Sequence, residues 1–530
     1  MKKDRFFWYF LIPWLLIITL FISLSPWLAE LFATPSGQVF TGINRWSTDY
    51  YIYLSYIEQG VRGFLTTKLI FTIQPHSAVF FFLAYTVPGY IFGHILGLSS
   101  IFIYHFFRAL YGLIFLSATI IFFYKLSKSK IVTLIAFFLT FYVSGFVKIV
   151  GGTRYLDWLQ EQNIIGRATG PLHYSVGFII FITAFIFYFY IKTSSVKKTV
   201  IFGLLLNGLL LSNPFNFLLM ALCFAAYLPI KFLFNKKDVR FLHEFMTVFG
   251  AFLISVPLFL LLNYYLSAPP WGVVGVSPKF YVRTTPPVSL LEIAMSVGPI
   301  FFLGIFGAIR LLVGQPRKQM NVIIFLIIWP IIQFILLMFG DVFKIHPARA
   351  FSGLYYLPLA YFSASFIIFL SKKIKTSMYR YIAGLIIIIL LLITLPNYYL
   401  SFKEQLFAFT DFKYFSPFIY PSKNQVQAFR FLEKNTPPYS NVLALFEAGT
   451  LINGFSGNST EVSATQDFKT PFYANKLNND EVIKLLKKYH YKYVYFGYQE
   501  KFVGGDMNKY PFLKKIFENK EVSIFKINLY

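Results

Sequence analysis

Along most of the chain, apolar residues run nearly unbroken for about 18 residues or more, the length a helix needs to cross the hydrocarbon core of a bilayer. Short polar stretches, most of them basic, separate these runs. The pattern predicts membrane helices at about 7–25, 99–124, 131–150, 173–191, 199–212, 215–233, 242–266, 289–312, 321–339, 351–370 and 381–397, about eleven in all. Within this series TVIFGLLLNGLLL and FNFLLMALCFAAYLPI form a predicted hairpin broken at SNPFN. The stretch HSAVFFFLAYTVPGYIFGHILGL (76–98) is also apolar, but Pro88 and several glycines interrupt it. It is predicted to be a membrane-surface or re-entrant helix.

Beyond residue 397 the hydropathy drops. The tail offers a helix-like QVQAFRFLEKN, a strand-like NVLALF, an amphipathic DEVIKLLKKY, a strand-like YKYVYFG and a final VSIFKI. Mixed strand and helix signals predict a small α/β domain. The expected organisation is a transmembrane domain over 1–397, whose long first loop (26–98) carries interfacial helices, and a C-terminal α/β domain over 398–530.

The basic clusters set the orientation. They are MKKDR (1–5), KLSKSK (125–130), KTSSVKK (192–198), KFLFNKKDVR (231–240), RLLVGQPRK (310–318) and SKKIKTSMYR (371–380). If all face the cytoplasm, as the positive-inside rule expects, each interval between them holds an even number of crossings, and a full crossing at 76–98 would break that parity. The N-terminus is then cytoplasmic and the tail extracytoplasmic, in a multi-pass protein of the plasma membrane. MKKDRFFWYFLIPWLLIITLFISL lacks a small-residue cleavage site, so it is expected to stay as the first membrane helix.

Composition agrees. The chain is 57% hydrophobic and 13% charged, too apolar for soluble cores of this size to hide. A net charge of +26 would suggest nucleic acid in a soluble protein; here topology accounts for it, and the partner is the lipid bilayer. The single cysteine, Cys223, excludes an intramolecular disulfide and a cysteine metal site. No glycine loop has the strand–loop–helix context of a phosphate cradle, and no His, Asp or Glu pair matches a specific metal motif.

Candidate chemistry gathers in the loops expected outside. In RWSTDYYIYLSYIEQG (45–60), Asp49, Tyr53, Tyr56 and Gly60 fall on one helix face at i, i+4, i+7 and i+11. Asp49 is either a first-turn acid that caps an interfacial helix or a functional carboxylate. FKIHPARAF supplies Lys344, His346 and Arg349 on the side that the topological bias leaves poor in cations, and Arg can hold phosphate oxygens bidentately. Tyr53 on that helix face, Arg167 and His173 in GRATGPLHYS, and Arg283 with Trp271, are candidate substrate contacts. Asp157 and Glu161, at i and i+4, are candidates for a divalent cation. His94, His105 and Arg108 suit packing or structural polar contacts better than chemistry. The NST at 458–460 matches a glycosylation sequon, a weak signal alone.

This layout resembles the GT-C superfamily of membrane glycosyltransferases, which includes protein O-mannosyltransferases and lipid A aminoarabinose transferases. Family enzymes have a cytoplasmic N-terminus, a long first outer loop with interfacial helices, and an acid soon after the first helix, the place that Asp49 occupies in TDYYIYLSYIEQG. Many relatives have paired acids there, where this chain has Thr48 and Asp49. A second acidic position usually follows the third helix, where Asp157 and Glu161 stand, although DWLQEQN does not match the better-known members closely. The tail stretches AFRFLEKNTPPYSNVLALFEAGTLINGFSG, YHYKYVYFGYQEK and IFENKEVSIFKI look like the C-terminal outer domain of bacterial GT-C-like membrane proteins. The resemblance implies transfer of a sugar from a polyprenyl-phosphate donor to an acceptor on the outer face, with Asp49 as catalytic carboxylate and Lys344, His346 and Arg349 on the donor phosphate. It leaves the sugar, the acceptor and the need for a divalent cation open. The competing readings are a transporter or flippase of lipid-linked sugars, and an O-antigen polymerase or ligase. A transporter usually shows internal repeats and midplane charges, and neither is evident. A polymerase or ligase does not need the α/β tail.

Overall fold

A computed structural model of the protein describes residues 5–43, 47–143, 145–146, 166–234, 240–274, 288–314, 317–345, 354–410, 418–462 and 467–529. Helix α1 (Phe7–Phe32) opens with a π-helical turn over Phe7–Leu11. Helix α2 (Ser47–Val61) follows, then α3 (Leu83–Pro88), which continues as a π-helix over Gly89–Ile95. Next come α4 (Ser100–Ser127), α5 (Lys130–Tyr142), α6 (Leu172–Tyr190), α7 (Ser195–Ser212), α8 (Pro214–Phe234) and α9 (Arg240–Leu266). The apolar series closes with α10 (Leu290–Val297), α11 (Pro299–Gly314), α12 (Arg317–Met338), α13 (Tyr356–Ile374) and α14 (Tyr379–Thr410). Among the described residues nine helices are long and apolar enough to cross a membrane, or ten if α10 and α11 make one bent span. The protein is a polytopic helical membrane protein.

The segments agree with the predicted series, with differences that have local causes. The span expected at 289–312 is two helices bent by 99°. Gly298, at φ +71°, adopts a backbone that helices exclude, and Pro299 restarts the helix from its first position, where a missing N–H costs nothing. The helix expected over 131–150 ends at Tyr142. Val143 is extended, and a Cβ at Gly145 would lie 2.1 Å from the Ser296 carbonyl oxygen, so the chain leaves the helix to meet the α10 turn closely. The predicted α7–α8 hairpin turns on Asn213, whose side chain accepts from the Asn216 amide (3.4 Å), with Pro214 opening α8. The last membrane helix runs on to Thr410, past the expected end at 397. No long helix forms at 76–98; α3 and its π continuation are too short to cross a bilayer.

By packing, the described chain divides into two units: Met1–Ser25, Arg108–Ala268 and Gly272–Glu404 in one, and Pro26–Phe107, Pro269–Trp271 and Gln405–Tyr530 in the other. The first is the helical bundle, with an aromatic centre. Trp329 is fully buried against Phe181 (4.6 Å between ring centroids) and Phe122 (6.3 Å). Helix α11 lies directly on α13, because Gly307 brings its backbone to Phe362, where a Cβ would stand 2.1 Å from the carbonyl oxygen. Small residues permit such approach in membrane bundles, where no difference in apolarity drives helices together.

In the second unit, residues of the first loop and of the tail pack together, although the hydropathy break at 397 suggests separate parts. After α15 (Lys423–Asn435), β1 (Val442–Leu443) and α16 (Phe446–Ser456) come α17 (Asn479–Lys488), β2 (Tyr493–Phe496), β3 (Leu513–Glu518) and β4 (Ser523–Ile527). The four-stranded sheet has order β1-β2-β4-β3; β1 and β2 are parallel and the other pairs antiparallel. A parallel pair requires a long crossover, supplied here by the helices between β1 and β2. Helix α17 begins with a capping box, Asn478 accepting from the Glu481 amide (2.9 Å) and Glu481 from the Asn478 amide (3.0 Å). Its Val482 and Leu486 pack with Val494 and Phe525 in the sheet core. The first loop enters this unit by backbone pairing: Thr460 N–H donates to Ile70 (2.9 Å) and Val462 N–H to Phe71 (3.1 Å). Asn458 of the sequon is fully buried and donates to the Thr436 hydroxyl (2.8 Å), which makes it a structural residue.

Candidate active site

Asp49 stands exposed in the first turn of α2, where free backbone amides and the helix dipole favour a carboxylate. One turn later Tyr53 stacks parallel on Tyr85, centroids 5.2 Å apart and planes 13° apart. Tyr56 is buried and stacks on Phe82 (4.7 Å, 17°). Burial first, and then the nearby negative charge of Asp49, push the Tyr56 phenol upward in pKa. At Gly60 the helix meets α3 backbone to backbone, where a Cβ would lie 2.5 Å from the Thr86 oxygen. The face that the i, i+4, i+7, i+11 spacing defines therefore exists. It runs from an exposed acid, over tyrosine rings, to a buried floor.

Beside it, Tyr50 donates to the Thr41 carbonyl. His105 is buried and stacks on Trp27 (4.6 Å, 21°). Gly42, at φ +77°, closes this nest, since a Cβ there would stand 2.1 Å from His105 Nε2. His105 thus packs within this nest. Trp271 is buried near His76 (6.2 Å) and donates to the Ser77 carbonyl (3.5 Å).

Sequence reasoning missed a charged cluster at the other end of α2. Glu58 is fully buried in the field of Arg62, Arg430 and Glu433. Arg62 donates to the Glu433 carbonyl and to that of Thr436 (3.2 Å); Arg430 binds the Glu433 carboxylate at 2.7 Å. Desolvation, then the charge of Glu433, pushes the Glu58 carboxyl up to about 8, against the pull of Arg430 and Arg62. Another missed acid, Glu30 at the end of α1, is buried and accepts from the Tyr420 hydroxyl (2.7 Å). Apart from Arg62, the groups that meet these acids, Arg430 and Glu433 at Glu58 and Tyr420 at Glu30, lie more than 370 positions away in sequence, beyond any local pattern.

The remaining predicted residues belong to the bundle or lie outside the described residues. Arg167 donates to the Thr140 carbonyl at the end of α5, and its guanidinium lies 3.5 Å above the Tyr356 ring. This satisfies a helix-terminal carbonyl and anchors the arginine in the bundle. His173, in the first turn of α6, is buried against Tyr174 (4.3 Å). Lys344 is exposed just after the one-turn helix Gly340–Phe343, at φ +52°. Asp157, Glu161, Arg283, His346 and Arg349 lie outside the described residues. Among the described residues no group of three or more His, Cys, Asp or Glu is placed to hold a metal ion.

No protein-family profile matches the chain, and no curated protein matches it in sequence. Solved structures do match. The Archaeoglobus fulgidus oligosaccharyltransferase tethered to an acceptor peptide with an NVT sequon superposes with TM-score 0.52 at 16% identity, over 93% of this chain and 70% of that one. The chain shares the fold of this oligosaccharyltransferase. The same enzyme, AglB, in complex with an inhibitory peptide and a dolichol-phosphate gives 0.52 and 16%, over 92% of this chain and 69% of that one. ArnT from Cupriavidus metallidurans in the apo state aligns over 97% of this chain and 98% of its own, at 12% identity and TM-score 0.47. The likeness expected from the sequence thus stands, at the level of fold, on the oligosaccharyltransferase structures.

Proposed function

We propose that this protein is a membrane glycosyltransferase that moves a sugar from a polyprenyl-phosphate donor to an acceptor on the outer face of the membrane. The observation that carries this reading is Asp49, an exposed carboxylate on the helix that follows the first membrane segment, within a fold shared with an enzyme solved with a dolichol-phosphate. The transmembrane body, with the first loop, would form the catalytic part, and the α/β tail would lie on the same outer side.

In the proposed reaction an acceptor oxygen attacks the anomeric carbon of the donor sugar. The bond from that carbon to the phosphate oxygen breaks, and its electron pair leaves with the phosphate. Asp49 takes the acceptor proton. The departing phosphate gains negative charge, which cations stabilise most where water is excluded. Arg349, Lys344 and His346 are proposed for this role. Arg167, His173 and Arg283 are proposed secondary contacts, and Asp157 and Glu161 remain the proposed ligands if a divalent cation takes part.

The test is transfer by the purified protein from a panel of labelled polyprenyl-phosphate sugars, assayed beside Asp49→Asn. Label moving to an acceptor with wild type and not with Asp49→Asn supports the reading. No release of polyprenyl phosphate from any donor sinks it.

A further inference from the structure

A second site lies in the helical bundle, where α4, α5, α11, α12 and α13 line an open-sided cavity of about 220 Å³, smaller than the usual site for a whole small molecule (roughly 300–1,000 Å³). Leu126 and Ile368 belong to its apolar wall; Arg310, Lys372, Gln319 and Tyr361 bring polar atoms to it. No carboxylate lines it. Nor does the sequence hold one anywhere in 101–150, 293–340 or 342–403, which supply all of its walls. Among the described residues neither Arg310 nor Lys372 pairs with an acid. Arg310 is half-buried and Lys372 exposed at the mouth of this cavity, and the chain places no carboxylate there.

The geometry also indicates the shape of a fitting counter-charge. The central carbon of the Arg310 guanidinium lies over the Phe369 ring, 4.2 Å from its centroid. A cation–π contact of this kind does not use up the five N–H donors of the guanidinium, which can serve a planar or tetrahedral oxyanion. Lys372 Nζ stands 5.3 Å from the Tyr379 ring, held as a point charge. The same helices turn large apolar side chains outward beside these cations: Val313 is 86% exposed, Ile374 68% and Ile309 55%. A cationic cavity flanked by exposed aliphatic surface suits an amphiphile with a phosphoryl head and hydrocarbon chains.

We propose that the cavity at Arg310 and Lys372 binds the phosphoryl headgroup of an anionic membrane phospholipid. The headgroup is the ion-pair partner of both side chains, and the acyl chains run along α11 and α13. This site is independent of the reading of Asp49. Free phosphate shares the headgroup chemistry, and the apolar flanks favour the lipid.

The test uses full-length protein in neutral detergent, stripped of bulk lipid, with thermal stability read during titration with phosphatidylglycerol, phosphatidylcholine or inorganic phosphate. Wild type is expected to be stabilised by phosphatidylglycerol and not by phosphatidylcholine. Arg310→Gln/Lys372→Gln should weaken the phosphatidylglycerol response by about tenfold or more, the worth of one lost charge-assisted contact. Arg310→Lys/Lys372→Arg should retain most of it. Equal responses in wild type and the Gln double variant overturn the site. Stabilisation by inorganic phosphate equal to that by phosphatidylglycerol overturns the lipid and assigns a soluble phosphate. If the Gln variant does not fold, competition in wild type decides: displacement of bound phosphatidylglycerol by phosphatidylcholine as readily as by another anionic phospholipid overturns the proposal.

Discussion

Tyr53 lies flat against Tyr85, ring centroids 5.2 Å and planes 13° apart, one helical turn after the exposed Asp49. This stack and the backbone contact at Gly60 hold α2 against α3. Asp49→Asn keeps the size of the side chain and caps a helix about as well. The variant is therefore expected to fold with an unchanged melting temperature. If Asp49 is the base, turnover should fall by about 10²–10⁴-fold while donor still binds. Unchanged turnover in a folded variant would make Asp49 a cap and move attention to Asp157 and Glu161.

The stack itself is testable. Tyr53→Phe keeps both rings and with them the stacking. Tyr53→Ala loses the stacking, about 0.5–1.5 kcal/mol beyond the lost burial. Thermal melts of the purified variants separate the two.

For the donor phosphate, Arg349→Ala is expected to weaken donor binding more than Arg349→Lys, since lysine keeps the charge and loses the planar fork. Titration of a polyprenyl-phosphate analogue measures this. Equal affinity in wild type and Arg349→Ala removes Arg349 from the site.

Glu58 predicts a pH dependence of stability. Its carboxyl is raised from 4.5 to about 8 in the fold, so between those values the folded protein holds a proton that the unfolded chain has released. Stability is then highest below pH 4.5 on this account and falls as pH rises through about 8. Glu58→Gln, which mimics the protonated acid, should match wild type near pH 5 and exceed it at pH 8 by more than about 1.4 kcal/mol, the worth of one unit. Parallel melting curves for the two proteins across this range would count against the shift.

Gly307 predicts a packing effect in the bundle. An added Cβ would stand 2.1 Å from the Phe362 oxygen, so Gly307→Ala should cost about 1–3 kcal/mol through forced displacement. Gly384 of α14 has nothing within 4 Å of its Cβ position, and Gly384→Ala should leave the melting temperature unchanged or slightly raised.

Hydropathy by itself determined that the chain is a polytopic membrane protein, because a bilayer demands long apolar helices and leaves them visible as runs of fixed length. Local spacing determined the Asp49–Tyr53–Tyr56–Gly60 face, since a helix places i, i+4, i+7 and i+11 together whatever surrounds it. Most tail elements were visible for the same local reason. Helix α16 and strand β3 were not: the strand-like run NVLALF yields only Val442–Leu443 before the chain turns into α16, and the pairing of β3 with β4 is a contact across the sheet. Only the tertiary structure decided the early end of α5, the packing of first loop with tail, and the burial of Glu58 among Arg62, Arg430 and Glu433. Each depends on residues far apart in the chain coming together, and neither the period of a helix nor the length of an apolar run records which distant partner a side chain will meet.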